Sequence, residues 1–227
     1  MKNTVLIIAK GSKHIDLLIK NREFIRDNLN IVIYTDQIEV LDYYFKSADI
    51  RKYDEPIFRY FDKYKLTYDL VQEKKQPVMY IDISKLKSIF RTDLTYFDKN
   101  KISHIYTNGN WNSLPNASRL RFFYTKPPKK GYLDNILDYF EKENISLDKI
   151  NPIIEKTFVF PFKDFMSDVM TVLESIRPLF EWNSKNKEHF YTGIGNGEGL
   201  ALGYALAKCK VTNLRLSQMP INKLKAL

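Results

Sequence analysis

The chain has 227 residues, 44% of them hydrophobic, with 15 Phe and 15 Tyr, so it can bury a sizeable core and does not read as disordered. Its single Cys209 excludes an internal disulfide framework and a cysteine-based metal site, and no apolar run reaches the ~18 residues of a membrane span. The formal charge of +9 fits either a phosphate-attracting surface or a general bias toward lysine; the lysines are scattered, and the densest short run, KPPKK (126–130), is too short for a nucleic-acid arm.

The first predicted element is TVLIIA (4–9), an apolar run of strand length. It is too short for a signal peptide and lacks a small-residue cleavage site, so a cytoplasmic, reducing setting is the expectation. A helix is predicted from His14 to Leu29, with Ile15, Leu18, Ile19, Ile25 and Leu29 at roughly helical spacing. IVIYTD (31–36) is a second buried strand that ends in an acid. A long helix follows over 56–74, with Pro56 in its first turn and Phe58, Phe61, Leu66 and Leu70 along one side. PVMYID (77–82) is the third strand, and it too ends in an acid.

The stretch 104–131 is rich in Asn, Gly, Ser and Pro and reads as turns or a long loop. A short amphipathic helix is predicted over 132–144 and a strand over 157–162. A helix follows over 163–183, with Phe165, Met166, Val169, Val172, Leu173 and Ile176 facing inward and Pro178 kinking or ending it. A glycine-rich loop feeds a small-residue helix over 193–210, and 211–217 is a last strand. The expected fold class is α/β: a mostly parallel, nucleotide-binding sheet flanked by helices, in a single domain. Residues 1–100 form its nucleotide-binding half and 101–227 its acceptor and sugar half.

In open α/β sheets, ligands bind outside the carboxyl ends of the strands. Those ends carry Ala9, Lys10, Gly11 and Ser12 after the first strand, Asp36 after the second, and Asp82 and Ser84 after the third. Either aspartate alone is explained as a turn cap. Two acids, each directly after a buried strand, favour a shared ligand.

The ordered set VLIIAKGS, IVIYTDQ and FRYFDKYKL…PVMYIDIS resembles nucleotide-sugar-dependent glycosyltransferases of the GT-A fold, over about residues 4–84. The resemblance implies a donor site at Ala9, Lys10, Gly11, Asp36, Lys65, Asp82 and Ser84, with Lys10, Lys63 and Lys65 facing the diphosphate. It also implies a divalent cation, manganese or magnesium, held by Asp82 as the first acid of an Asp-x-Asp motif. At the second acid the chain has Ser84, a neutral and weaker ligand. Three outcomes are open: a metal held by Asp82 with help from Asp93, Asp98 or His104; a metal-independent enzyme in which lysines neutralise the diphosphate; or a domain that binds without turnover.

Gly193, Gly195, Gly197 and Gly199 form neither a dinucleotide fingerprint nor a P-loop. Glu198 sits among them near a helix start, where the helix dipole alone would account for it. By the resemblance, a late acidic residue serves as general base on the acceptor hydroxyl, which points to Glu198, with His189 nearby; Asp82 is the other residue assigned to catalysis. Trp111, in an Asn-rich loop, is either a stacking surface for a sugar or base or a cover for the sheet edge.

The leading expectation is a glycosyltransferase that uses a nucleotide-diphosphate sugar and a hydroxyl acceptor on a glycan, lipid-linked sugar or protein. Two alternatives stand beside it. One is a nucleic-acid-associated protein, or a base glycosyltransferase, suggested by the charge and by Trp111, Phe122, Phe123 and Tyr124 beside basic residues. The other is a catalytically inactive GT-A-like binding domain.

Overall fold

The computed structural model describes residues 2–25, 27–55, 61–109, 138–146, 149–151, 153–181 and 197–222. The apolar runs become strands β1 (Thr4–Ala9), β2 (Asn30–Thr35) and β4 (Val78–Ile81), with the short β3 (Asp49–Lys52) between the last two in sequence. β5 (Ile105–Thr107), β6 (Thr157–Phe160) and β7 (Asn213–Arg215) complete a seven-stranded sheet in the order β3-β2-β1-β4-β6-β5-β7. β1 pairs in parallel with both β2 and β4, and β2 with β3, whereas β6 runs antiparallel to β4 and to β5. The fold is therefore α/β with a mostly parallel sheet flanked by helices.

Alternation along the strands assigns the two faces. Val5, Ile7 and Ala9 of β1 join Ile31, Ile33, Met79, Ile81 and Val159 in one apolar cluster. Helices α1 (Ser12–Lys20), α2 (Ile38–Tyr44) and α4 (Leu86–Arg91) close it with Ile15, Leu18, Leu41, Leu86, Ile89 and Phe90. The opposite face carries Leu6, Tyr80, Phe158 and Phe160, all buried. There α3 (Asp62–Lys74) packs Tyr64 against Phe158 and Phe160, with ring centroids 5.3 and 6.2 Å apart.

Several expectations are revised by local chemistry. The first helix stops at Lys20, not Leu29, because the Asn21 side chain donates to the Leu17 carbonyl at 2.7 Å and the chain tightens into a 3-10 turn over Arg22–Phe24. The helix predicted over 56–74 is seen from Asp62; its first part, with Pro56 and Phe58, lies outside the described residues. Leu66 is only partly buried on it, while Tyr64, Thr67, Leu70 and Val71 are buried. Lys75 ends this helix in the left-handed region (φ 49°) and turns the chain into β4. Within the stretch predicted as loop, Ile105–Thr107 is a fully buried strand, too short to show a period.

The chain divides into two compact units. The first comprises 1–107, 156–163 and 214–227, and the second 108–155 and 164–213. The second unit contains α5 (Phe165–Glu181) and α6 (Gly197–Lys208), packed through Met166, Val169, Leu173, Leu200, Leu202 and Tyr204. Helix α5 runs through Pro178 without ending there. Phe140 stacks on Tyr204 with ring centroids 3.9 Å apart. Burial raises the Tyr204 hydroxyl above its ordinary pKa, and burial does the same to the Cys209 thiol. Among the described residues, no helix is long and apolar enough to cross a membrane.

Candidate functional site

From β1 the chain moves outward through β2 and β3 on one side, and β4 takes the place on the other. The carboxyl ends of β1 and β4 thus flank a point where strand order reverses, the place at which open α/β sheets form ligand crevices. A cleft of about 170 Å³ opens there, in the first unit. Lys10, Lys13 and His14 line it from the β1–α1 side, and Asp82 and Ser84 from β4.

The β1–α1 turn depends on a glycine for its backbone conformation. Gly11 takes φ 75°, a region that favours glycine, and its N–H donates to Asp36 Oδ1 at 2.9 Å. Asp36, expected to meet the donor, therefore spends one oxygen on fixing this turn. The first amides of α1, at Ser12 and Lys13, lie at the helix start, where no intrahelical carbonyl is available to them. His14 Nδ1 lies 2.7 Å from the Lys10 carbonyl; a carbonyl only accepts, so Nδ1 carries the proton. The Lys10 ammonium donates to the Glu55 carbonyl and sits 5.0 Å from the centre of the Tyr53 ring. Tyr53 in turn donates its hydroxyl to Asp62 Oδ2 at 2.5 Å.

On the β4 side, Asp82 Oδ1 accepts from the Ser84 amide at 2.9 Å and from the Ser84 hydroxyl at 2.6 Å. Asp82 is therefore a turn cap as well as a cleft residue. Its own amide donates to the Lys156 carbonyl at 2.8 Å, which ties the turn to the residue before β6.

The expected site residues divide as follows. Lys10, Asp82 and Ser84 line one cleft, and Gly11 and Asp36 shape its rim. Ala9 is the last residue of β1 and fully buried, so only its backbone is available to a ligand. Lys65 is exposed on α3, pairs with Asp69 at 2.6 Å and does not line the cleft. Glu198 belongs to the second unit, in the first turn of α6, and is 5% exposed. Trp111 and His189 lie outside the described residues. Lys13 and His14 were not singled out from sequence; their position in the first helical turn after a strand followed by Lys-Gly-Ser was the available signal.

For a divalent cation the cleft offers Asp82 Oδ2, the oxygen not used by Ser84, and the Ser84 hydroxyl oxygen as a neutral donor. Asp93, Asp98 and His104 do not line it; Asp98 caps the turn at Lys99–Lys101, and His104 contacts Ser103. Among the described residues, no group of three or more His, Cys, Asp or Glu side chains converges. This donor set fits a cation that draws most of its ligands from phosphate and water, as magnesium does, and not an all-protein cage.

No protein-family model matches the chain, and no curated protein matches it significantly.

Proposed function

We propose that the protein is a glycosyltransferase that holds the diphosphate of a nucleotide sugar over the ends of β1 and β4. The observation that carries this reading is the convergence of Lys10, Lys13, His14, Asp82 and Ser84 on one cleft at the switch point of the sheet. Lys10 and Lys13 both line the cleft beside one carboxylate; the Lys10 ammonium is held at the Glu55 carbonyl over Tyr53, so Lys13 supplies the ammonium for an anion. The amides of Ser12 and Lys13 add the partial positive charge of a helix start. A leaving diphosphate gains charge as the sugar departs, and fixed cations are what stabilise that change. The cleft's volume suits the diphosphate, leaving the base and sugar to extend beyond it.

In this reading, Asp82, with Ser84 beside it, would hold manganese or magnesium, which would supply Lewis-acid charge at the diphosphate. The acceptor is the hydroxyl of a glycan, lipid-linked sugar or protein. Cytoplasmic location belongs to the same proposal and rests on the single, partly buried Cys209.

The test is a thermal-shift series with uridine, guanosine, cytidine and thymidine diphosphate sugars, each with EDTA or manganese. One base should raise the Tm by native-state linkage, and Lys10→Ala with Lys13→Ala should abolish the rise. A flat response to all four at millimolar concentration, with and without metal, would overturn the reading.

A further inference from the structure

A second cavity, of about 490 Å³, lies in the first unit where α3 ends and β4 begins. It is at the opposite end of β4 from the diphosphate cleft. Lys74, Lys75, Lys99 and Lys163 line it, and no carboxylate does. The four lysines come from three separate stretches of chain. Lysines at a helix C-terminus complement the helix dipole, which accounts for Lys74 and Lys75. It does not account for Lys99, in a 3-10 turn, or for Lys163, just after β6.

The charges are only partly compensated. Lys74 pairs with Glu73 at 2.7 Å. Lys75 and Lys163 are exposed and form no ion pair with a described residue. Lys99 is held in place: it donates to Gln76 Oε1 at 3.2 Å, and the buried Gln76 donates to Thr4 Oγ1 at 2.6 Å. Phe162 stands at the wall with 43% of its surface exposed, an apolar face beside four cations.

We propose that this cavity is a second anion site, for a phosphate ester whose organic part packs on Phe162. Its volume is within the range of small-ligand pockets, about 300–1,000 Å³. The exposed Lys75 and Lys163, with Lys99 held beside them, suit a phosphorylated group of charge −2. The phosphate ester belongs either to a soluble phosphorylated molecule or to a phospholipid headgroup.

The test uses the full chain labelled with ¹⁵N and titrated with inorganic pyrophosphate. The amides of Lys75, Gln76 and Asn100 should shift, and Lys75→Glu with Lys163→Glu should weaken that response at least tenfold. The resonances of Ser12 and Lys13 report the other cleft separately, and the spectrum itself reports whether the variant is folded. A second arm measures co-sedimentation with phosphatidylcholine vesicles, with and without phosphatidylinositol 4-phosphate. Pyrophosphate binding alone assigns a soluble ligand; vesicle binding that is lost in the double variant assigns a headgroup. No response in either arm, or a response that the double variant leaves unchanged, overturns the proposal.

Discussion

The Ser84 hydroxyl donates to Asp82 Oδ1 at 2.6 Å, so in the proposed reading the residue standing at the second position of the Asp-x-Asp pattern is bonded to the first. In the serine form the turn needs no cation to hold its charge together. An aspartate at 84 would instead set two carboxylates side by side, and one of them would resist ionising without a counter-charge.

Substitution at this position separates the two arrangements. Ser84→Ala should lose less than about 1 kcal/mol, since the bond is exposed and the amide still donates to Asp82. Ser84→Asp should leave the metal-free protein less stable than wild type and give a larger rise in Tm with manganese. Differential scanning fluorimetry with EDTA or manganese reads both. Equal manganese responses in Ser84→Asp and wild type would mean that this turn does not meet a cation.

Asp36 is tested through the backbone it holds. Asp36→Ala removes the acceptor of the Gly11 amide and should cost about 1 kcal/mol, less than a buried charged bond because the contact faces solvent. Asp36→Asn keeps an oxygen acceptor and should recover most of the loss. Urea unfolding midpoints check the order wild type, Asn, Ala.

Gly199 has a steric reason to be glycine. A Cβ there would lie 2.1 Å from the Ile153 carbonyl oxygen and 2.6 Å from Glu155 Oε2. Gly199→Ala should therefore destabilise by about 1–3 kcal/mol or more, because backbone and not a flexible side-chain end must give way. Chemical denaturation measures it, and soluble yield should fall in parallel.

The acid limb of stability should carry a contribution from the edge of the sheet. Arg51 of β3 donates to both oxygens of Glu73, at 2.7 and 2.9 Å, and also bonds Asp49. The Arg51 bond, aided by Lys74, holds the Glu73 carboxyl at about 2, below its ordinary 4.5, and the two carboxylates raise the Arg51 pKa in return. A depressed acid stabilises the fold above its unfolded pKa. This term is therefore complete above pH 4.5 and fades as pH falls toward 2. Glu73 is 43% exposed, so solvent screening keeps the term below about 1 kcal/mol. Arg51→Met should flatten stability against pH over that interval in urea titrations, and a slope equal to wild type would refute the assignment.

Legibility differed by element for physical reasons. β1, β2 and β4 are continuous apolar runs buried on both faces, so their sequences alone located them within about a residue. The direction of β6 was not legible, because TFVF is equally apolar in either sense and only its pairing with β4 reveals the reversal. β3, with sequence DIRK, is an edge strand too short and polar to show an apolar pattern; its pairing with β2 and the packing of Ile50 on the core place it. At the site, Lys10, Asp82 and Ser84 could be placed because each follows a strand by one to three residues. The engagement of Asp36 with Gly11 could not, since it joins residues 25 apart through backbone geometry. The lysine cavity at the far end of β4 was invisible for the same reason, its lining being drawn from distant stretches of a chain whose lysines look evenly spread.

The antiparallel partner of β4 has a consequence for how the protein is made. Val78–Ile81 leaves the ribosome long before Thr157–Phe160, and until then one edge of a hydrophobic four-stranded sheet has no partner. A fragment ending at Thr107 would keep that edge open for good, a template for pairing between copies. Slow translation through the intervening stretch should therefore promote aggregation, and a peptide carrying TFVF supplied in trans should suppress it.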